Sequence, residues 1–272
     1  MIEVREARGT EELMLTEDLQ IAAWKFSERE IAPHSALVAS QHSGGLVALA
    51  WAGDEAVGFV WGFPAFRDGR VWHHSHQMGV RPDWQGKGVA LALKRFQRRW
   101  ALERGYDLVT WTFDPLLTKN ARFNLGKLGA WAGTYHPDFY GLRTGLYAGI
   151  PADRLLVRWE LEHPRVRARL ERIPPPPEPE GEPLALTRGE GLGLAPEKRL
   201  TPDAPRVYLE VPPDLEALKA SDLGLAEAWR LFTREAFTWA FAHGYRAVDL
   251  ARRGPRVYYQ LERPEGPAGR GG

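Results

Sequence analysis

The chain has 272 residues, of which 44% are hydrophobic and 11% aromatic, and this is enough to bury a core in one large domain or two small ones. Its 36 basic and 35 acidic residues nearly cancel, so neither nucleic acid nor an anionic membrane is an expected partner. The absence of cysteine excludes disulfides, thiolate nucleophiles and cysteine-based zinc sites.

The chain begins with an acidic segment that lacks the apolar stretch of a secretory signal. The sequence also has no run of 18 or more apolar residues that would suggest a membrane span. These features predict a cytoplasmic protein with no membrane partner.

Hydrophobic periodicity predicts an alternating α/β arrangement over the first 163 residues. The order is β-α-α-β-β-β-α-β-α-β-β, with a strand at 2–7, helices at 11–26 and within 32–41, a hairpin at 45–63, a strand at 70–80, a helix at 87–104, a strand at 107–113, a helix at 120–130 and strands within 134–141 and 154–162.

A proline-rich segment, "IPPPPEPEGEP" at 173–183, predicts an extended connector because consecutive prolines continue neither a helix nor a central strand. After it the first half is echoed: "MGVRPDW" returns as "LEVPPDL", and "RWALERGYDLV" as "TWAFAHGYRAV". We therefore expect a domain at 1–165, a linker at 166–204 and a shortened, degenerate copy at 205–272. Chance similarity is the alternative.

The stretch "VRPDWQGKGVALALKR" at 80–95 indicates an anion site. A strand is expected to end at Val80, Pro82 to stop its pairing, and a helix to begin near Gly88. Glycines at 86 and 88 let a phosphate approach the amides of residues 85–90 at the helix N-terminus, where the helix dipole favours negative charge. A structural glycine turn is the alternative.

Gln85, Gly88 and Ala90 resemble motif A of the GNAT superfamily, the acyl-CoA-dependent N-acyltransferases, and the resemblance covers about residues 1–163. It implies an α/β fold with a GNAT-like mixed central sheet flanked by helices. It also implies that a bulge or splay frees backbone near Met78 to Val80 for the pantetheine and for the oxyanion. The CoA-binding residues implied here are Met78, Val80, Gln85, Gly86, Lys87, Gly88, Val89 and Ala90. The predicted second copy lacks the paired glycines, so it should not bind CoA.

The segment "WHHSHQMGV" at 72–80 carries the candidate base. A period of two places His74 and His76 on the face of Met78 and Val80, with His73 opposite. The resemblance implies a base on this strand, and His74 falls where many family members have a catalytic glutamate. The His-x-His spacing is similar to that of arylalkylamine N-acetyltransferases. Hydrogen-bonded wall residues are one alternative, and a metal pair lacking an obvious third ligand is another.

The segment at 118–131 resembles motif B of the same family. The residues that match are Ala121, Lys127, Leu128 and Gly129, and those that depart are Thr118, Leu125 and Ala130. Leu125 replaces the tyrosine that commonly reprotonates the CoA thiolate, so the general acid is unassigned. Asn120 and Asn124 are candidate pantetheine contacts, with Asn120 also a candidate helix cap.

Tyr140, with Tyr135, is a candidate substitute acid, although each also suits a packing role. Two further groups have a functional and a structural interpretation. The basic residues Lys94, Arg95, Arg98 and Arg99 suit a solvated helix face, or one of them reaches the CoA 3′-phosphate. The aromatic residues Trp61, Phe63 and Phe66 line an acceptor pocket or pack in the core.

Together these features predict an enzyme that moves an acyl group from acetyl-CoA or another acyl-CoA, such as succinyl-CoA, to a primary amine by direct attack. The expected acceptor is a small molecule such as an amino acid, and no metal is expected. Two alternatives stay open: a non-catalytic acyl-CoA-binding or sensor module, and a metal-dependent enzyme built on His74 and His76. A homodimer is compatible with the sequence.

Overall fold

The computed structural model describes residues 1–27, 29–141 and 149–264. The chain forms two compact units. The first unit comprises Met1–Trp111 and Glu160–Glu162, and the second comprises Thr112–Trp159 and the residues from His163 onward.

The first unit follows the predicted element order. Its elements are β1 (Ile2–Glu6), α1 (Gly9–Trp24), α2 (His34–His42), β2 (Leu46–Ala52), β3 (Glu55–Arg67), β4 (Arg70–Val80), α3 (Val89–Glu103) and β5 (Leu108–Phe113), whose last two residues belong to the second unit. A 3-10 turn at Pro82–Trp84 connects β4 to residues 85–88, the glycine loop that precedes α3. The helix predicted at 87–104 begins later, at Val89, because Gly86 and Gly88 adopt positive φ angles.

The sheet of the first unit has the order β1-β2-β3-β4-β5, with β1 to β4 antiparallel and β4 parallel to β5. One face is covered by α1 and α2, whose Leu13, Leu19 and Leu37 form a core with Phe59 and Trp61 of β3. The other face is covered by α3, because a Cβ on Gly58 would touch Val89 and Leu93. The predicted mixed α/β fold, a large sheet flanked by helices, is confirmed.

The second unit contains α4 (Thr118–Ala121), which continues as a π-helical turn at Arg122–Lys127, and then β6 (Trp131–His136), β7 (Arg154–Glu160), α5 (Pro164–Glu171), β8 (Glu182–Pro183), β9 (Ala185–Arg188), β10 (Ala195–Arg199), β11 (Arg206–Val211), α6 (Leu215–Ser221), α7 (Leu223–Ala242), β12 (Arg246–Arg253) and β13 (Arg256–Glu262). Its strands have the order β7-β6-β12-β13-β11-β8, and β9 pairs with β10 alone. Two buried carboxylates support this unit: Asp114 pairs with Arg230 of α7, and Asp249 of β12 accepts hydrogen bonds from three arginines, namely Arg122, Arg165 and Arg169.

These units divide the chain differently from the predicted domains. The predicted linker at 166–204 is more ordered than an extended connector, because it contains most of α5 and all of β8, β9 and β10. The four prolines lie in the irregular stretch between α5 and β8. The proposed copy also differs in strand order, since β13 lies between β11 and β12 whereas β4 pairs directly with β5. The repeat stays a prediction.

Among the described residues, no helix combines the length and the apolar character needed to cross a membrane.

Candidate functional site

The loop that precedes α3 is shaped by two glycines. Gly86 and Gly88 have φ angles of 77° and 86°, and a Cβ at either position would meet no atom within 4 Å. Gly88 is the N-cap of α3 and offers no side-chain cap, while the first-turn amides of a helix have no intrahelical carbonyl to bind. The loop therefore presents backbone donors beside open space, as a bound phosphate requires.

The other predicted loop residues contribute in different ways. The Gln85 side-chain amide donates to the Val80 carbonyl at 3.3 Å, and Lys87 Nζ lies 5.0 Å from the centre of the Trp84 ring. Val89 is 1% exposed, so it can offer a ligand only its backbone amide. Ala90 is half-buried in the first turn of α3.

The β4–β5 ladder is short. Only His73 with Val109 and His74 with Thr110 are paired along these two fully described strands. The strands separate after His74, so the edge of β4 from Ser75 to Val80 has no ladder partner on β5. This is the splay that the resemblance implied.

A β-bulge in β4 changes which side chains share a face. Trp61 pairs with Gln77 and Gly62 with Ser75, so His76 is the extra residue. Paired antiparallel residues point to the same face, and Gly79 accordingly lies against the Phe59 ring on the α1 side. The prediction that His74 and His76 share a face with Met78 and Val80 is therefore wrong, because the extra residue reverses the alternation and turns Met78 and Val80 toward α3.

His74 lies at the last ladder pair, where β4 and β5 begin to separate. Its Nδ1 is 3.0 Å from Thr110 Oγ1, which also accepts a hydrogen bond from Trp72 Nε1 at 2.9 Å. The pKa of His74 is lowered to about 4, mainly by burial and to a smaller extent by the nearby His76 and Lys94. The ring is therefore neutral at pH 7.

His76 and His74 pack on the same aromatic wall. The centre of the Phe63 ring is 5.5 Å from that of His74 and 5.6 Å from that of His76. Trp61 meets His76 edge-on at 4.9 Å, and the two histidine ring centres are 6.3 Å apart.

Phe63 also lines an open groove of about 390 Å³ between α2 and β3. Its lining residues are Ala36, Ala39, Ser40, Ser43, Phe63 and Pro64, none of which is charged. Ser40 Oγ accepts a hydrogen bond from Trp61 Nε1 at 2.9 Å. Phe63 thus supports the prediction of an aromatic pocket wall, whereas Trp61 is a core residue and Phe66 is exposed.

The opposite face of β4 carries a buried polar cluster. Lys94 is 2% exposed, so the basic residues of α3 do not all form the solvated face that the sequence suggested. Lys94 Nζ donates to Ser75 Oγ at 3.1 Å and to Gln97 Oε1 at 2.9 Å, and the Gln97 amide donates to His73 Nε2 at 3.1 Å. Burial lowers the pKa of Lys94 to about 7 and that of His73 to about 3.

The motif B candidates belong to the second unit. Asn120 is exposed within α4 and is not its N-cap, which is Leu117. Asn124 is 5% exposed in the π-helical turn, beside the fully buried Leu125. Contact of either asparagine with pantetheine stays a prediction.

The two candidate tyrosines differ in their surroundings. Tyr135 donates a hydrogen bond to Asp153 at 2.7 Å, and burial raises its pKa, which agrees with the packing role that the sequence also allowed. Tyr140 is 38% exposed, its hydroxyl is 3.4 Å from Thr112 Oγ1, and the Arg154 guanidinium lies over its ring. A role for Tyr140 as an acid stays a prediction.

No group of three or more His, Cys, Asp or Glu residues in the described part of the chain is arranged to hold a metal. The third ligand that a metal site on His74 and His76 would need is therefore not found among these residues.

Sequence reasoning missed Thr110, Ser75 and Gln97. Thr110 is a polar residue in the apolar strand "LVTWTF", and this was the available signal. No sequence signal marked Ser75 or Gln97, because their hydrogen-bond partner Lys94 was expected to lie in solvent.

Comparison with known proteins finds one family model that matches part of the chain. Residues 9–129 match the model of the "Acetyltransferase (GNAT) family", which is fewer than half of the 272 residues. This match confirms the predicted GNAT resemblance for that part of the chain. None of the curated proteins is similar to the chain in sequence.

Several solved structures are similar to the chain, all at low identity. The ribosomal-protein-S18-alanine N-acetyltransferase from Escherichia coli is 15% identical with a TM-score of 0.48, over 59% of this chain and 94% of that one. YncA from Salmonella typhimurium, solved with acetyl-CoA, is 16% identical with a TM-score of 0.48, over 60% and 95%. The IAA acetyltransferase from Bacillus cereus is 19% identical with a TM-score of 0.46, over 59% and 99%.

Proposed function

We propose that this protein is an N-acyltransferase that moves an acyl group, acetyl or succinyl, from acyl-CoA to a primary amine. The observation that carries the proposal is the position of His74, a neutral histidine at the point where β4 and β5 separate. The family match over residues 9–129 supports the same reaction class.

The glycine loop suits the phosphates of acyl-CoA. The open space above Gly86 and Gly88 leaves room for an anion, and the first-turn amides of α3 would donate to it. The edge of β4 from Ser75 to Val80, which does not pair with β5, would bind the pantetheine and donate to the oxyanion. Acyl-CoA would supply the thioester that the amine attacks and the thiolate that leaves.

His74 is the proposed general base. If its Nδ1–H donates to Thr110 Oγ1, which has two lone pairs and so can also accept the Trp72 bond, its Nε2 is free to take the proton of the amine. His76 is a second candidate on the same wall. Because the chain has no cysteine, we propose direct attack without a covalent enzyme intermediate.

The groove beside Phe63 is the proposed position of the acceptor. Its lining residues are uncharged and offer no cation to a carboxylate, so the groove does not add support to the expectation that the acceptor is an amino acid. We propose a small-molecule primary amine and leave its class to experiment.

The test is amine-dependent release of free thiol from acetyl-CoA and succinyl-CoA. The panel should pair each amino acid with the amine formed by its decarboxylation, and should include polyamines. Release that depends on an amine with either donor supports the proposal, and the chain adds no thiol background because it has no cysteine.

A sensor function is the second candidate, and one observation favours it: the fully buried Leu125 stands where the family's general acid is expected. Saturable acyl-CoA binding with no thiol release for any amine would support the sensor and contradict the enzyme.

A further inference from the structure

Lys94 is a buried cation that the proposed reaction does not use. It lies on α3, directly after the glycine loop, and is 2% exposed. Its ammonium is held by the Ser75 hydroxyl, the Gln97 amide oxygen and the face of Trp111, whose ring centre is 3.8 Å from Nζ. Burying a lysine costs free energy, so a lysine at this position calls for an explanation beyond core packing.

Lys94 is linked by hydrogen bonds to both sequence neighbours of His74. Ser75 follows His74 and is the last residue before the bulge, and Lys94 binds it directly. His73 precedes His74 and is reached through Gln97. Because Gln97 Oε1 accepts from Lys94, its amide nitrogen is directed at His73 Nε2.

The segment held in this way is closely packed against β3. A Cβ on Gly62 would lie 2.5 Å from both His73 Nε2 and the His74 carbonyl oxygen. The backbone of His74 is therefore held by β3 at its edge and by the Lys94 cluster from the α3 side.

We propose that Lys94 is a positioning residue for His74: acting through Ser75, Gln97 and His73, it fixes the start of the bulge and with it the position of His74 on β4. This proposal rests on His74 being the base of the proposed function. The groups that face the two residues are His76, on the wall of His74, and His73, next to Lys94.

The electrostatics of the cluster agree with this role. The positive charge of Lys94 lowers the pKa of His74 and that of His73. The pKa of Lys94 itself is lowered by burial to about 7. A neutral amine still has two N–H donors, so both hydrogen bonds persist when the charge is lost. Lys94 therefore changes charge near neutral pH without releasing β4.

The experiment compares Lys94→Met with wild type, and Lys198→Met serves as the matched control on the exposed strand β10. Thiol release with an accepted amine is measured from pH 3 to 9, so that the range spans a His74 pKa of about 4, together with histidine NMR titrations in which His74→Gln assigns the His74 signals. In Lys94→Met we expect the acidic limb of kcat/KM and the His74 pKa to move up together, with acyl-CoA affinity changed less than twofold. Lys198→Met should leave both at their wild-type values.

Two results would overturn the proposal. One is a Lys94→Met profile that falls equally at every pH with the His74 pKa unmoved. The other is a wild-type His74 that titrates at the ordinary value of 6.5. The second result is read on the unmodified protein, so it decides the matter even if the variant does not fold.

The NMR titration of His74 does not require turnover. The proposed acyltransferase function and the proposed role of Lys94 can therefore be contradicted independently. If no amine releases thiol but the His74 pKa rises in Lys94→Met, the proposed function fails while the effect of Lys94 on His74 stands.

Discussion

At the scale of single residues, the site depends on how one imidazole is held. Thr110 orients this ring, because its hydroxyl lies within hydrogen-bond distance of both Trp72 Nε1 and His74 Nδ1. A hydroxyl that accepts both bonds selects the His74 tautomer with a free Nε2, which is the atom a base needs. The orientation of His74 thus depends on a residue of the neighbouring strand β5.

Thr110→Val tests whether the Thr110 hydroxyl orients His74. The change keeps the shape of the side chain but removes the hydroxyl. We therefore expect kcat to fall about tenfold, which corresponds to an activation barrier higher by about 1.4 kcal/mol. We also expect a stability loss of about 1 kcal/mol from the unpaired Trp72 N–H. Thr110→Ser should retain most of both. Equal activity of the Val and Ser variants, measured by thiol release, would show that the hydroxyl does not position His74.

At the scale of elements, β4 sets the geometry through its bulge and its separation from β5. Gly62 of β3 pairs with Ser75 beside the bulge at His76, and β3 and β4 approach closely there because Gly62 has no side chain. On the other side of the sheet α3 contributes both the glycine loop and Lys94. One helix therefore supports the proposed phosphate site and the proposed base.

Gly62→Ala should disturb the bulge. The new Cβ would lie 2.5 Å from His73 Nε2 and from the His74 carbonyl, so we expect a loss of unfolding free energy of about 1–3 kcal/mol. Gly224→Ala, near the start of α7, has no atom closer than 3.4 Å and should be neutral or slightly stabilising. Denaturant unfolding of both variants checks this, and equal stability would contradict it.

The buried Lys94 makes stability depend on pH. Its pKa falls from 10.5 to about 7 on folding, so between these values the unfolded chain holds a proton that the folded chain releases. Stability therefore rises with pH across this window, and below it the cost of burying the charge is fully present. We expect the stability of Lys94→Met relative to wild type to decline from pH 7 to pH 10. A difference that does not vary with pH would contradict the lowered pKa.

Particular residues show how far the sequence could predict this structure. The β-α-α-β-β-β-α-β-α-β-β order was readable because apolar periods and glycines mark each element, and the loop at Gly86 and Gly88 was readable from its spacing. The bulge at His76 could not be predicted, because one extra residue leaves no mark in the composition. It moves the side chains of the later β4 residues to the opposite face of the sheet. The burial of Lys94 was hidden because a basic run indicates solvent.

At the scale of the whole molecule, the two units do not follow the predicted domain boundaries. The second unit joins residues 112–159 to the segment from His163 onward. One buried link between these two segments is the pair of Asp114 and Arg230, which are 116 positions apart and both 0% exposed. Asp114 also accepts from the Leu116 amide at 2.8 Å, so the stretch after β5 is held by α7 of the same unit.

Arg230→Met should destabilise the second unit strongly. The change leaves Asp114 buried without its cation, which costs about 3–5 kcal/mol. The double variant Asp114→Asn with Arg230→Met removes both charges, so we expect it to recover part of the loss. Thermal unfolding gives the comparison, and a double variant no better than the single one would argue against a charge effect.

The most direct test of the central claim is amine-dependent thiol release by His74→Gln beside wild type, with His243→Ala as the control at the exposed end of α7. Removing a general base typically costs 10²–10⁴-fold in rate, so we predict at least about a hundredfold loss of kcat with acyl-CoA affinity unchanged. The control should keep wild-type activity. Full activity of His74→Gln, or an equal loss of turnover and acyl-CoA binding, would contradict the account of His74 as the base.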